Sequence, residues 1–272
     1  MNRGHLTQRS GHSAFHELPL TLVHGEIWAA GGDGKSIIVY NGQTGAVART
    51  LVGHRGLVKA LSSDKRYVLS GSADRTVGVW DALSSEVVAN FNGHLEPVKV
   101  VTQAGDHVWS GDIGGRLMIW DLETMSTIRE KQDTHGYLSI TSSDDYVATG
   151  GADHNLRIWD KKKISILKTQ KGTSYINCLL FANEYQLWTG GKEIAIYDMR
   201  KLGPAITNFV AHHAKTTCLE CTTKLVFSGG LDGKVLAWDA VTFEFKKEVC
   251  SHDYGVNQIS IVEKMLWPSF VD

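Results

Sequence analysis

Ser70, His54 and Asp74 are the residue types of a Ser-His-Asp nucleophile, in which an imidazole takes the hydroxyl proton and a carboxylate orients the imidazole. The same trio recurs along the chain. His212, Ser228 and Asp232 repeat it with the same His-to-Ser spacing of 16, and His135, Thr149 and Asp153 keep its chemistry with a shorter leading loop. A catalytic triad is made once and needs an oxyanion hole beside a cleft. Recurrence therefore argues for a structural unit, and no enzyme activity is expected of these residues. Cys218 and Cys221 form a CxxC pair, but a zinc site needs a second ligand pair at suitable spacing and the sequence offers none. The stretch GGDGKS at 31–36 is too short for the phosphate loop GxxxxGK[ST]. Neither a metal nor a cofactor is expected.

The recurrence has a period. Segments ending in an aromatic residue plus Asp or Asn start at 39, 79, 119, 158, 196 and 237, a spacing of 38 to 41 residues. Such a period fits four short antiparallel strands per unit, stacked radially, because each small sheet can hide its faces only against neighbouring sheets. Within a unit the order is constant: a leading His, an alternating strand, a small-residue turn such as SGSADRT, then a strand ending in Trp-Asp. All eight tryptophans fall at two repeat positions, Trp80, Trp120, Trp159 and Trp238 on the third strand and Trp28, Trp109, Trp188 and Trp267 on the second. An aromatic at one height in each sheet is what packing between sheets demands.

This order resembles the WD40-repeat family. His54, Ser70, Asp74 and Trp80 are similar to the family's buried tetrad of His, Ser or Thr, Asp and Trp. His212, Ser228, Asp232 and Trp238 repeat it in full, and His135, Thr149, Asp153 and Trp159 repeat it in modified form. In the unit from 93, which has His94, Ser110 and Trp120, Gly114 stands where Asp belongs. The unit ending at Tyr197 has Thr189 but no His, so these two blades are expected to be the less rigid ones. The resemblance implies an all-β, seven-bladed propeller forming a single domain over 1–272, with units starting near 11, 53, 93, 134, 172, 211 and 251. The last unit stops at Asp272, six residues before its expected Trp. An incomplete seventh blade closed by a strand from residues 3–10, in a chain cut from a longer parent, is the corresponding expectation.

Composition bounds the partners. With 28 Lys and Arg against 29 Asp and Glu, no global field draws the chain to nucleic acid or an anionic membrane, and no apolar run is long enough to insert in a bilayer. Four cysteines in apparent strands suit a reducing compartment, the cytoplasm or the nucleus. The run Lys161–Lys163 follows a Trp-Asp pair and reads as a solvated strand edge.

In the family, partners sit around the narrow end of the channel, on residues just after the leading His. Carried over by position, these are Phe15 and Glu17; Arg55, Leu57 and Lys59; Leu95, Pro97 and Lys99; and Tyr137. Tyr175, Asn177, Lys215, Thr217, Tyr254 and Asn257 complete the set. Aromatics interleaved with cations suit a protein or peptide with acidic or phosphorylated residues. Tyr197-Asp198-Met199-Arg200 resembles the WDxR motif that propellers use on the cullin ubiquitin-ligase adaptor, with Tyr in place of Trp, which makes Arg200 a docking candidate. The leading expectation is a non-catalytic scaffold, a monomeric propeller within a multiprotein complex. The alternative is a regulatory or substrate-recognition propeller of a larger enzyme or ligase complex.

Overall fold

The middle strands of each unit leave no face for water. Tyr67–Ser72 is buried at all its positions and Thr76–Asp81 at its four central ones, whereas the outer strand Ser126–Gln132 is exposed almost throughout. Sheets of this kind need a neighbour on both sides. The computed structural model describes residues 19–261 in full and 262 and 265–270 by backbone alone. Six four-stranded antiparallel sheets occupy 20–51, 58–92, 98–132, 137–171, 178–209 and 216–251, and Val256–Val262 pairs with Met265–Phe270 in a two-stranded sheet.

The chain is thus an all-β propeller, but its blade count differs from the expected seven. Six blades are four-stranded, and the seventh repeat contributes only the hairpin among the described residues. The closing strand expected from 3–10 lies outside those residues, as do Phe15 and Glu17. The hairpin is fastened on both sides. The Leu20 amide donates to Gln258 Oε1 at 2.9 Å and the Gln258 amide donates back to the Leu20 carbonyl, while the Thr217 hydroxyl of the sixth blade donates to the Val256 carbonyl.

Six apolar clusters make the core, and each spans one junction between neighbouring sheets. Trp28 and Val39 of the first blade meet Val58 and Trp80 of the second; Trp109 and Ile119 of the third meet Tyr137 and Trp159 of the fourth; Trp188 of the fifth meets Trp238 of the sixth. A third-strand Trp thus faces the preceding blade and a second-strand Trp the following one, so the two can share a junction. Trp109 and Trp159 pack edge-on with ring centres 5.3 Å apart. At the junction of the second and third blades, Trp120 stacks instead on Phe91 at 4.8 Å.

The hairpins between third and outer strands are held by Asp or Asn carboxamide and carboxylate groups: Asp81 Oδ1 accepts the amides of Leu83 and Ser84 at 3.0 and 2.8 Å, and Asn41 and Asp239 do the same for their own turns. Lys161, Lys162 and Lys163 follow Asp160 in one such turn. Lys161 donates to the Ser143 carbonyl at 2.9 Å, and the other two lie near Asp145 and Asp160.

Two tryptophans of the third blade differ in one respect that can be measured. Trp120 donates its indole N–H to Ser110, whereas the indole N–H of Trp109 is buried without a hydrogen-bond partner. Removing the first donor takes a hydrogen bond from the buried Ser110 oxygen; removing the second breaks none. Trp120→Phe is expected to destabilise the protein by roughly 1–3 kcal/mol more than Trp109→Phe in denaturant unfolding.

Candidate functional site

In the second blade, Trp80 Nε1 donates to Ser70 Oγ at 2.8 Å, Ser70 Oγ lies 2.7 Å from His54 Nε2, and His54 Nδ1 lies 3.0 Å from Asp74 Oδ2. Indole, hydroxyl, imidazole and carboxylate thus form one continuous chain of hydrogen bonds. Ser70 is wholly buried, with its oxygen held by Trp80 and His54, so no substrate carbonyl reaches it. The trio is a structural clasp. Burial raises the pKa of Asp74, but hydrogen bonds from the Thr76 hydroxyl and the Arg55 amide, with the charge of His54, outweigh it and hold the group at about 2. The sixth blade repeats the set through His212, Ser228, Asp232 and Trp238, with contacts of 2.8–2.9 Å.

Two blades depart from the sequence expectation. In the third, the missing aspartate is replaced by Asp112, two residues ahead of Gly114. Its Oδ2 lies 3.0 Å from His94 Nδ1, and its Oδ1 accepts the amides of Gly114 and Arg116 at 3.0 and 2.8 Å. That blade has a complete tetrad.

In the fourth, His135 is no tetrad member: it is exposed and bonds the neighbouring Thr134 hydroxyl. Counting 16 residues back from Thr149, the interval of the intact blades, reaches Asp133 instead. The space held elsewhere by an imidazole is held here by the Arg157 guanidinium, which donates to Asp153 and lies 3.5 Å from Asp133, while Thr149 keeps its bond from Trp159 at 3.1 Å.

The leading loop of each blade rests on the second-to-third strand turn of the blade before it, so that both sets of loops form one face around the channel. Gly172 N donates to the His154 carbonyl at 2.6 Å and Thr216 N to the Gly191 carbonyl at 2.8 Å. Leu57 fills the space that a Cβ on Gly34 would need.

On this face the expected partner residues separate. Arg55, Leu95, Tyr175, Lys215 and Tyr254 are exposed, and Leu57, Lys59, Pro97, Lys99, Asn177, Thr217 and Asn257 are half-buried toward the channel. Tyr137 is withdrawn from any partner. It is 1% exposed, because its ring fills the junction of the third and fourth blades and its hydroxyl donates to Asp133.

The structure adds His154 and Arg75, which sequence reasoning passed over. Both hold positive φ, +65° and +71°, where three other blades carry Gly34, Gly115 and Gly233. A side chain in that conformation costs free energy that glycine does not. The signal in the sequence was a bulky side chain standing where three other repeats carry glycine.

His154 meets the exposed Tyr175 ring edge-on at 4.9 Å, and Lys215 Nζ sits 5.6 Å from the centre of the same ring. On the opposite end of the blades, Arg200 pairs with Asp198 through Nε and Nη2 at 2.9 and 2.8 Å and lies over the Tyr185 ring at 5.6 Å. Cys218 and Cys221 do not act as a reactive pair: burial pushes their thiols up to about 12 and about 11. Among the described residues no helix is long and apolar enough to cross a membrane.

Two measurements check these assignments. Arg157→Met leaves Asp153 and Asp133 without their shared cation and is expected to cost about 3–5 kcal/mol, whereas His135→Ala stays within about 0.5 kcal/mol, read from denaturant midpoints. Asp74 carries a folded pKa below its ordinary 3.8, so its contribution is complete above that value and disappears as pH falls toward about 2. That contribution is on the order of 2 kcal/mol. Unfolding free energy measured from pH 5 to pH 2 is expected to drop less steeply in Asp74→Asn, which is already destabilised at neutral pH.

Residues 45–81 and 132–160 match the family model described as WD domain, G-beta repeat. No curated protein matches the chain. The chain is thus a β-propeller, and two stretches of it are similar to WD40 repeats.

Proposed function

We propose that the chain is a non-catalytic scaffold that binds a protein or peptide with acidic or phosphorylated residues on the loop face. WD40 propellers typically mediate protein interactions, and the observation that carries the reading here is the Tyr175 cluster. An aromatic ring 45% exposed is held in place by His154 at its edge and Lys215 above it, contributed by three consecutive blades. A rigid aromatic beside cations supplies apolar area at low entropic cost and a charge for an anionic side chain. Leu231 and Tyr254, both exposed on the next loops, extend the apolar surface. The carboxylates of Asp74, Asp153 and Asp232 are turned inward to imidazole, guanidinium and amides, and Lys215 is the charge nearest the Tyr175 ring. The scaffold works in the cytosol or nucleus, where the four unpaired thiols stay reduced.

A second reading, a substrate-recognition propeller docked on a cullin-ligase adaptor, draws support from Arg200. Its side chain is 66% exposed, yet oriented by Asp198 and Tyr185.

Affinity capture from the native host separates the two. Under the first reading, Tyr175→Ala weakens the captured partner about thirtyfold or more, the loss falls with salt, and Arg200→Ala changes nothing. Under the second, Arg200→Ala alone releases a ligase adaptor. Capture unaffected by either substitution defeats both.

A further inference from the structure

The registers of the innermost strands bring one residue of each repeat to a common height around the channel. Five carry hydroxyls, Thr21, Ser62, Thr102, Thr141 and Ser260; the departures are Leu180 and Glu220. Thr21, Ser62, Glu220 and Ser260 line a solvent-open cavity of about 390 Å³ between the innermost strands of the first, second and sixth blades and the hairpin. Its polar wall is completed by Ser63, whose hydroxyl lies 2.7 Å from that of Thr21, and its apolar wall by Leu22, Leu61 and Ile261. Glu220 accepts the Cys221 amide at 3.0 Å, and among the described residues no lysine, arginine or histidine forms an ion pair with it.

We propose that this cavity binds a small organic cation bearing a primary ammonium group, with Glu220 as counter-ion and the hydroxyl oxygens of Thr21, Ser62 and Ser260 as further acceptors. A carboxylate withdrawn from water without a cation is costly, and burial raises the Glu220 pKa accordingly. An ammonium has three donors and no acceptor, which matches a carboxylate among hydroxyls; an anion meets Glu220 unfavourably, and a neutral polyol leaves the carboxylate unpaired. The volume lies at the small end of ligand pockets, about 300–1,000 Å³, and the leucine and isoleucine wall takes a short alkyl chain. This site is independent of the loop-face reading.

The test is an NMR titration of the whole chain with n-butylammonium chloride, with butan-1-ol and potassium chloride as matched probes. Saturable amide shifts at Thr21, Ser62 and Ser260 are expected with butylammonium alone, weakened tenfold or more by the near-isosteric Glu220→Gln, severalfold by Ser62→Ala and not at all by Tyr175→Ala. The proposal is overturned if butylammonium does not saturate, if both cavity variants bind as wild type does, or if butan-1-ol or potassium produces the same shifts. Should Glu220→Gln fail to fold, Ser62→Ala and the three-probe comparison decide alone.

Discussion

Each sheet of this ring has two apolar faces and only its neighbours to hide them against. The six clusters of buried side chains lie between blades, never within one. Because a blade has no core of its own, polar groups that run through those junctions cost about 1–3 kcal/mol for each left unmatched there. The chain from Trp80 through Ser70 and His54 to Asp74 meets that demand, and it also ties a leading loop to the turn beside it. The fourth blade meets the same demand with different chemistry, an arginine between two aspartates below a threonine. What is kept is a paired clasp; the identity of the partners is free to vary.

Interlocking of the loops follows from the same junctions. With each leading loop seated on the preceding turn, side chains from consecutive blades are brought within contact of one another. Tyr175, His154 and Lys215 belong to separate blades and lie 61 residues apart from first to last, yet they form one surface group. On this face Arg75 and His154 hold a backbone conformation that costs other residues more than glycine. The equivalent turns of three other blades are buried and carry glycine at 34, 115 and 233.

The axis of the ring is set by the innermost strands, which place equivalent positions at one height. At that height the Thr21 hydroxyl lies 2.7 Å from that of Ser63, which also donates to the Leu22 carbonyl. A carboxylate there is a departure of a different kind, because no packing requirement of the repeat calls for a charge.

Much of this architecture was legible in the sequence, because packing between identical units requires the same residue type at the same height and so writes itself as a period. The repeat, the tryptophan positions and the tetrads of the second and sixth blades follow from that alone. The tertiary structure decided what depends on reach rather than on order. Asp112 serves His94 from two residues upstream because a strand end and a turn can offer a carboxylate to the same imidazole. His135 loses its place because Asp133 stands at the height where the clasp is made. Tyr137 occupies a position that is exposed in the loop pattern but buried at its junction. The number of four-stranded blades was likewise decided by hydrogen-bonded ladders, six in number, and not by counting leading histidines. Linear spacing records which residue types recur, whereas burial and partnership are properties of the space between blades, to which each blade contributes one wall.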